Sequence, residues 1–289
     1  MLWSKTRTTF GHSFISQITF KNKKKKKAVK MISGTQFTIV YDVLSFSFAT
    51  MMATTIFLWM RVPSVHEKYK SALIISGLVT FIASYHYLRM FNSWTEAYEW
   101  TGEGELAKTG SPFNDAYRYM DWLLTVPLLL IEIILVMKLP ADESKSKATT
   151  LGIASAAMIA IGYPGELFMS EDNLGGRWVY WIGAMLPFLY IVQTLLVGLN
   201  DATQSEADPA VRKLIKGVQW WTVIAWCTYP VVYIFPMMGI SGSNAIVGIQ
   251  LGYSVSDIIS KCGVGLLIYQ ITIAKSLALK NGNEETPLL

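Results

Sequence analysis

Asp257 and Lys261 stand four residues apart inside a long apolar stretch of the chain. At helical spacing they share a face and can pair. A second apolar stretch, RYMDWLLTVPLLLIEIILV, carries Arg118, Asp121 and Glu132. Eleven residues make close to three turns, so Asp121 and Glu132 share a face about 16 Å apart along the axis. Thr125 lies on that stripe one turn from Asp121, and Arg118, three residues before Asp121, can hold a negative cluster together. His86 is in a third apolar run. An ionisable side chain at the centre of a membrane helix costs about 2.5–3.5 kcal/mol on insertion scales, so each needs a reason.

A lysine in a dry pocket can give up its proton and condense with an aldehyde to a Schiff base. Once protonated, that nitrogen needs carboxylate counterions, and Asp121 and Asp257 are on offer. The competing reading is a buried ion cluster that only locks helices together. Buried pairs return little net stability, which favours a functional reason for keeping them. Trp122, Trp181, Trp226, Tyr229 and Tyr233 are also in apolar runs. Singly, each is ordinary packing. Several around one lysine could enclose a long apolar aldehyde. Glu132, within LLLIEIILV, has surroundings that favour the neutral acid.

The elements that must position these groups are membrane helices. The 289 residues are 52% hydrophobic and 16% charged, and the spacing predicts seven spans of about 20 residues or more. They cover about 35–59, 71–92, 117–138, 148–168, 177–198, 214–238 and 245–275. Polar connectors separate them, the longest at 93–116, and no repeat or second domain stands out. Backbone groups in lipid must be paired internally, so the fold class is an all-α seven-transmembrane helix bundle. Residues 1–35 read as a basic, disordered leader or tail, 36–276 as the seven-helix domain and 277–289 as a C-terminal tail. No acid precedes Asp42, and the run Lys23 to Lys27 accounts for the net charge of +5. A basic cluster before an apolar helix suits anionic lipid headgroups better than nucleic acid. Because the loop 61–70 is basic as well, charge counting does not orient the bundle. Cys227 and Cys262 offer neither a disulfide framework nor metal spacing, and no metal site is expected.

The strings RYMDWLLTVPLLLIE (118–132), WCTYPVVY (226–233) and DIISK (257–261) resemble the third, sixth and seventh helices of microbial rhodopsins. The likeness is greatest to the proteorhodopsin and xanthorhodopsin group and covers about residues 36–276. It implies seven helices around all-trans retinal bound to Lys261. On the same resemblance Asp121 is the proton acceptor and counterion, Asp257 a second counterion and Glu132 the cytoplasmic proton donor. His86 tunes the acceptor's proton affinity, and Arg118 lies below the counterions. Trp122, Thr125, Leu129, Met158, Gly162, Trp181, Trp226, Tyr229 and Pro230 fall on chromophore-pocket positions. Leu129 resembles green-absorbing members, where blue-absorbing ones carry glutamine.

The resemblance implies a light-driven outward proton pump, not an enzyme. The rivals are a sensory photoreceptor, a light-gated channel and a non-photochemical transporter. Asp121, Thr125 and Glu132 together match the proton-pumping pattern rather than the sodium or chloride ones. The surroundings of Ile249 lack the glutamate pair that releases protons in archaeal pumps, so release follows another route. Trp181 is bulky where carotenoid-binding relatives leave an opening, so an antenna carotenoid is not expected. Partners are protons, membrane lipids and further copies of the chain, as a pentamer or hexamer. The C-terminal EETPLL fits an acidic dileucine signal through Glu284, Leu288 and Leu289. With it, a eukaryotic host would send the protein to an endosomal or vacuolar membrane; otherwise the plasma membrane is expected.

Overall fold

The computed structural model describes residues 32–100, 105–169 and 173–284. The lysine run and the dileucine leucines lie outside the described residues, and nothing is assigned to the Glu284 side chain. A short strand β1 (Ile32–Ser33) leads into α1 (Gly34–Arg61). Then come α2 (Glu67–Ala97), strands β2 (Tyr98–Trp100) and β3 (Glu105–Lys108), α3 (Ala116–Met137), α4 (Ala141–Leu167) and α5 (Leu174–Gln193). A π-helical turn Thr194–Gly198 and a short helix Asn200–Gln204 connect α5 to α6 (Pro209–Tyr233). The last span, α7, is composite: Gly242–Asp257, a π-helical stretch Ile258–Gly263, and Val264–Glu284.

Local sequence explains where several spans begin. Ser33 caps α1 in a capping box, its Oγ accepting from Gln36 N at 3.2 Å while Ser33 N donates to Gln36 Oε1 at 3.1 Å. Asp208 caps α6 ahead of Pro209, whose missing N–H costs nothing at that position. The bundle exposes large apolar side chains and buries several ionisable ones. Phe46 and Leu186 are 62% and 68% exposed, whereas Asp121, Glu132, Asp257 and Lys261 are at most 1% exposed. That inversion suits lipid as the solvent, and the chain is a multi-pass integral membrane protein.

Among the described residues, six helices are long and apolar enough to cross a membrane by length and composition. The seventh, α6, falls short of the same measure. Its sequence holds Gln219, Trp220, Trp221, Trp226, Tyr229 and Tyr233, whose polar atoms lower hydropathy although the rings suit a membrane interior. The long connector at 93–116 also departs from expectation. Helix α2 runs on to Ala97, and β2 and β3 form an antiparallel hairpin to which β1 adds, in the order β1-β3-β2. Ile32 pairs with Leu106 and Glu99 with Ala107. Residues expected to belong to a disordered tail therefore supply a strand. The hairpin end is closed by Trp94, which stacks on Phe37 at 5.8 Å and donates from Nε1 to Phe37 O at 3.2 Å.

Candidate functional site

Lys261 lies in the π-helical stretch of α7, one of the irregularities that helices often carry at functional sites. The carbonyl of Ile259 there accepts from Trp221 Nε1 at 2.9 Å. Gly263 permits that approach, since a Cβ there would fall 2.7 Å from the same nitrogen. The turn is thus held open by α6.

Lys261 Nζ contacts both expected carboxylates: it is ion-paired to Asp257 Oδ1 and stands 3.1 Å from Asp121 Oδ2. The two acids are partnered very differently. Asp257 accepts from Tyr87 Oη at 2.8 Å, Trp122 Nε1 at 3.0 Å and Tyr229 Oη at 2.7 Å. Arg118 Nη1 adds a contact at 3.6 Å. Asp121 is fully buried, and beyond the Lys261 contact neither carboxylate oxygen has a hydrogen-bond partner among the described residues. Arg118 is held from the other side by Gln250, which accepts from Nη2 at 2.7 Å and itself donates to Asp115 Oδ1 at 2.8 Å.

Glu132, also fully buried, accepts from Ser76 Oγ at 2.6 Å through Oε2, while Oε1 has no partner. Thr125 Oγ1 donates to the Asp121 carbonyl at 2.8 Å, so it braces the backbone below the acid. It is not among the residues lining the cavity described next. His86 makes a contact within its own helix. Its Nδ1 is 2.9 Å from Ile82 O on its own helix, and no hydrogen bond joins it to Asp121. A helical histidine can reach the carbonyl one turn back, and Nδ1 does so here.

A cavity opens beside Lys261. Trp122, Leu129, Met158, Gly162, Trp181, Trp226, Tyr229 and Pro230, all expected on its wall, line it together with Tyr119, Tyr233 and Tyr253. Trp122 packs edge-on against Tyr229 at 5.2 Å and Tyr253 at 4.9 Å. Trp181 Nε1 donates to Pro230 O at 3.1 Å. One amine, an apolar sleeve and a buried acid with unsatisfied oxygens fit a long apolar aldehyde. The linked nitrogen would stand where Nζ stands and would meet the oxygens of Asp121.

The sequence reading missed several participants. Tyr87 and Gln250 complete the Asp257–Arg118 network, and Ser76 partners Glu132. Glu166 is the largest omission: Tyr119 Oη donates to its Oε2 at 2.5 Å, and Tyr253 Oη lies 3.0 and 3.1 Å from its two oxygens. The signal for it was a lone carboxylate near the end of an apolar span, in GYPGELF. Among the described residues there is no cluster of side chains suited to a metal ion.

The chain belongs to the bacteriorhodopsin-like protein family, whose profile matches residues 38–275. That membership implies a retinal chromophore. Among its relatives is the green-light absorbing proteorhodopsin of Gamma-proteobacterium EBAC31A08. The two are 31% identical over 228 residues, 79% of this chain and 84% of the relative. The blue-light absorbing proteorhodopsin of Gamma-proteobacterium Hot 75m4 is 31% identical over 242 residues, covering 82% and 89% of the two chains. Among solved structures, that of xanthorhodopsin, described as a light-driven ion pump with dual chromophore, superposes with a TM-score of 0.81. It shares 38% identity and covers 87% of this chain and 99% of its own.

Proposed function

We propose that this protein is a light-driven proton pump that moves H+ out of the cytosol, with all-trans retinal attached to Lys261. The observation that carries the reading is the unequal partnering of the two acids beside Lys261, with a third acid farther along the same helix as one of them. Xanthorhodopsin's description as a light-driven ion pump supports it.

Bound to Lys261, retinal supplies light absorption and an isomerisation that changes where the linked nitrogen directs its N–H. Everything else is done by the chain. Asp257 has its acceptor positions taken by Tyr87, Trp122, Tyr229 and Lys261, so it acts as a fixed negative charge. Asp121 has oxygens free to take a proton at 3.1 Å from the Lys261 nitrogen. Glu132, about 16 Å along α3 on the opposite side of that nitrogen, holds a proton in dry surroundings and returns one. Arg118 anchors Asp257 towards the hairpin end, so acceptor and donor open to different sides and transport acquires a direction.

A sensory or channel reading gives Glu132 and its Ser76 hydrogen bond no task, whereas pumping uses both. Leu129 on the cavity wall supports green absorption. The test is pH recording on illuminated cells supplied with retinal, with and without a protonophore. Acidification of the medium that the protonophore abolishes is the expected result. A photocurrent that reverses with voltage, or no pH change at all, rejects the proposal.

A further inference from the structure

At the end of the bundle that bears Glu132, away from the hairpin, a second and polar cavity of about 800 Å³ opens to solvent. Tyr69 from α2, Lys138 at the end of α3, Ser205 and Glu206 from the α5–α6 connection, and Lys275 from α7 line it. Glu206 and Lys275 form an ion pair at 2.6 Å, and Lys275 is only 6% exposed. The ammonium groups of Lys138 and Lys275 each stand over the ring of Tyr69, at 5.4 and 5.8 Å. None of these groups has a part in the chemistry around Lys261.

The cavity is in line with Glu132. Tyr69 and Ser76 are seven residues apart on α2, hence two turns along one face, and Ser76 holds Glu132. Lys138 follows Glu132 on α3 by six residues, about 9 Å along the axis. Buried Ala72 lies between Tyr69 and Ser76 on α2, and buried Val136 between Glu132 and Lys138 on α3. A polar basin, a short apolar barrier and a buried acid thus follow one another.

The connection bearing Glu206 is fastened to α6. Gln219 Nε2 donates to Thr203 Oγ1 at 3.1 Å, and Arg212 Nε donates to the Glu206 carbonyl at 3.1 Å. The Glu206–Lys275 pair then ties this unit to α7. Other charged or titratable groups facing Glu206 are Lys138 at the end of α3 and Tyr69 of α2.

We infer that this basin is the proton-intake mouth and that Glu206 is the carboxylate that captures protons for Glu132. The inference rests on the pumping reading above. A proton from a cytosolic donor binds a Glu206 oxygen and breaks the ion pair with Lys275. It passes to the Glu132 carboxylate left after that residue has given up its own proton, and Glu206 returns to its charged, paired state. Glu206 acts through Glu132 and is a relay, not a group at the chromophore.

The test is flash absorption spectroscopy on the full-length retinal-loaded protein in lipid vesicles at neutral pH and low buffer. The Glu206→Gln, Glu132→Gln and Glu67→Gln variants are compared with the parent. Glu67 is an exposed acid on α2 paired with Lys70 and serves as the surface control. Expected for Glu206→Gln is an unchanged absorption maximum and a recovery of the resting state slowed at least about fivefold. A small membrane-permeant weak acid such as azide restores the rate, and Glu67→Gln matches the parent. Slowing that azide does not relieve overturns the relay, because loss of the ion pair as a mere brace has no reason to respond to a proton carrier. If Glu132→Gln is slow while Glu206→Gln recovers normally, this inference falls and the pump reading stands. If Glu132→Gln is itself unaffected, the pump reading falls, and the inference falls with it. Should Glu206→Gln fail to form coloured protein, Glu206→Asp is judged by the same two criteria.

Discussion

Ser76 on α2 donates a 2.6 Å hydrogen bond to one oxygen of Glu132 on α3, while the other oxygen is buried with no partner. The bonded oxygen can carry the negative charge once Glu132 has lost its proton. The bare one has room for the proton itself. Replacing Ser76 with Ala removes one bond to a charged group, worth about 1.5 kcal/mol, so proton donation slows about tenfold. Glu132→Gln removes the donor and slows it further. Both effects are read as the lifetime of the late photocycle intermediate, with the initial absorption maximum unchanged. Equal kinetics in Ser76→Ala and the parent show that the bond does not matter.

Asp121→Asn keeps the volume and removes the acceptor. General acid–base groups contribute about 10²–10⁴-fold, so light-driven acidification falls at least about 100-fold, to the background of unilluminated cells. The absorption maximum shifts as well, because a charge 3.1 Å from Lys261 is lost. Parent-like transport in this variant assigns the acceptor elsewhere.

Among the described residues, Lys261 is the only lysine lining the cavity, and Lys261→Ala removes its amine. The purified variant is expected to be colourless after incubation with retinal. The parent is expected to be coloured and to bleach in hydroxylamine under light. A coloured, hydroxylamine-resistant alanine variant rejects covalent attachment at this position.

Gly165 lies where α4 meets α5 and α6. A Cβ there would stand 2.5 Å from Tyr180 Cβ and 2.2 Å from Tyr233 Oη. The first neighbour sits next to the backbone and cannot swing aside, so Gly165→Ala forces the helices apart. The expected cost is about 1–3 kcal/mol, the usual range for overpacking. It is measured as a lower temperature of colour loss on heating. The neighbouring Glu166–Tyr119–Tyr253 hydrogen bonds are disturbed with it. A thermal midpoint equal to the parent's means that the helices absorb the methyl group without strain.

Much of the site is legible in the amino-acid sequence because it depends on spacing within single helices. Asp257 and Lys261 pair at i and i+4 on α7, and Asp121 and Glu132 repeat along one face of α3, and both relationships survive in the folded chain. The eight cavity-wall residues came from the resemblance to microbial rhodopsins instead, and they line the cavity together. The partner of His86 Nδ1, Ile82 O, is likewise one turn away on its own helix.

What only the tertiary structure decides are meetings between helices far apart in sequence. Tyr87 and Trp122 converge on Asp257 from α2 and α3, Ser76 reaches Glu132, and Glu166 finds Tyr253 across 87 positions. The strand at Ile32–Ser33 likewise exists only because β3 is there to pair with it. Periodicity tells which face a residue occupies along its own axis. It carries no information about which neighbouring helix that face meets, or at what height, and those two quantities set which acid is fully hydrogen-bonded and which is left to take a proton.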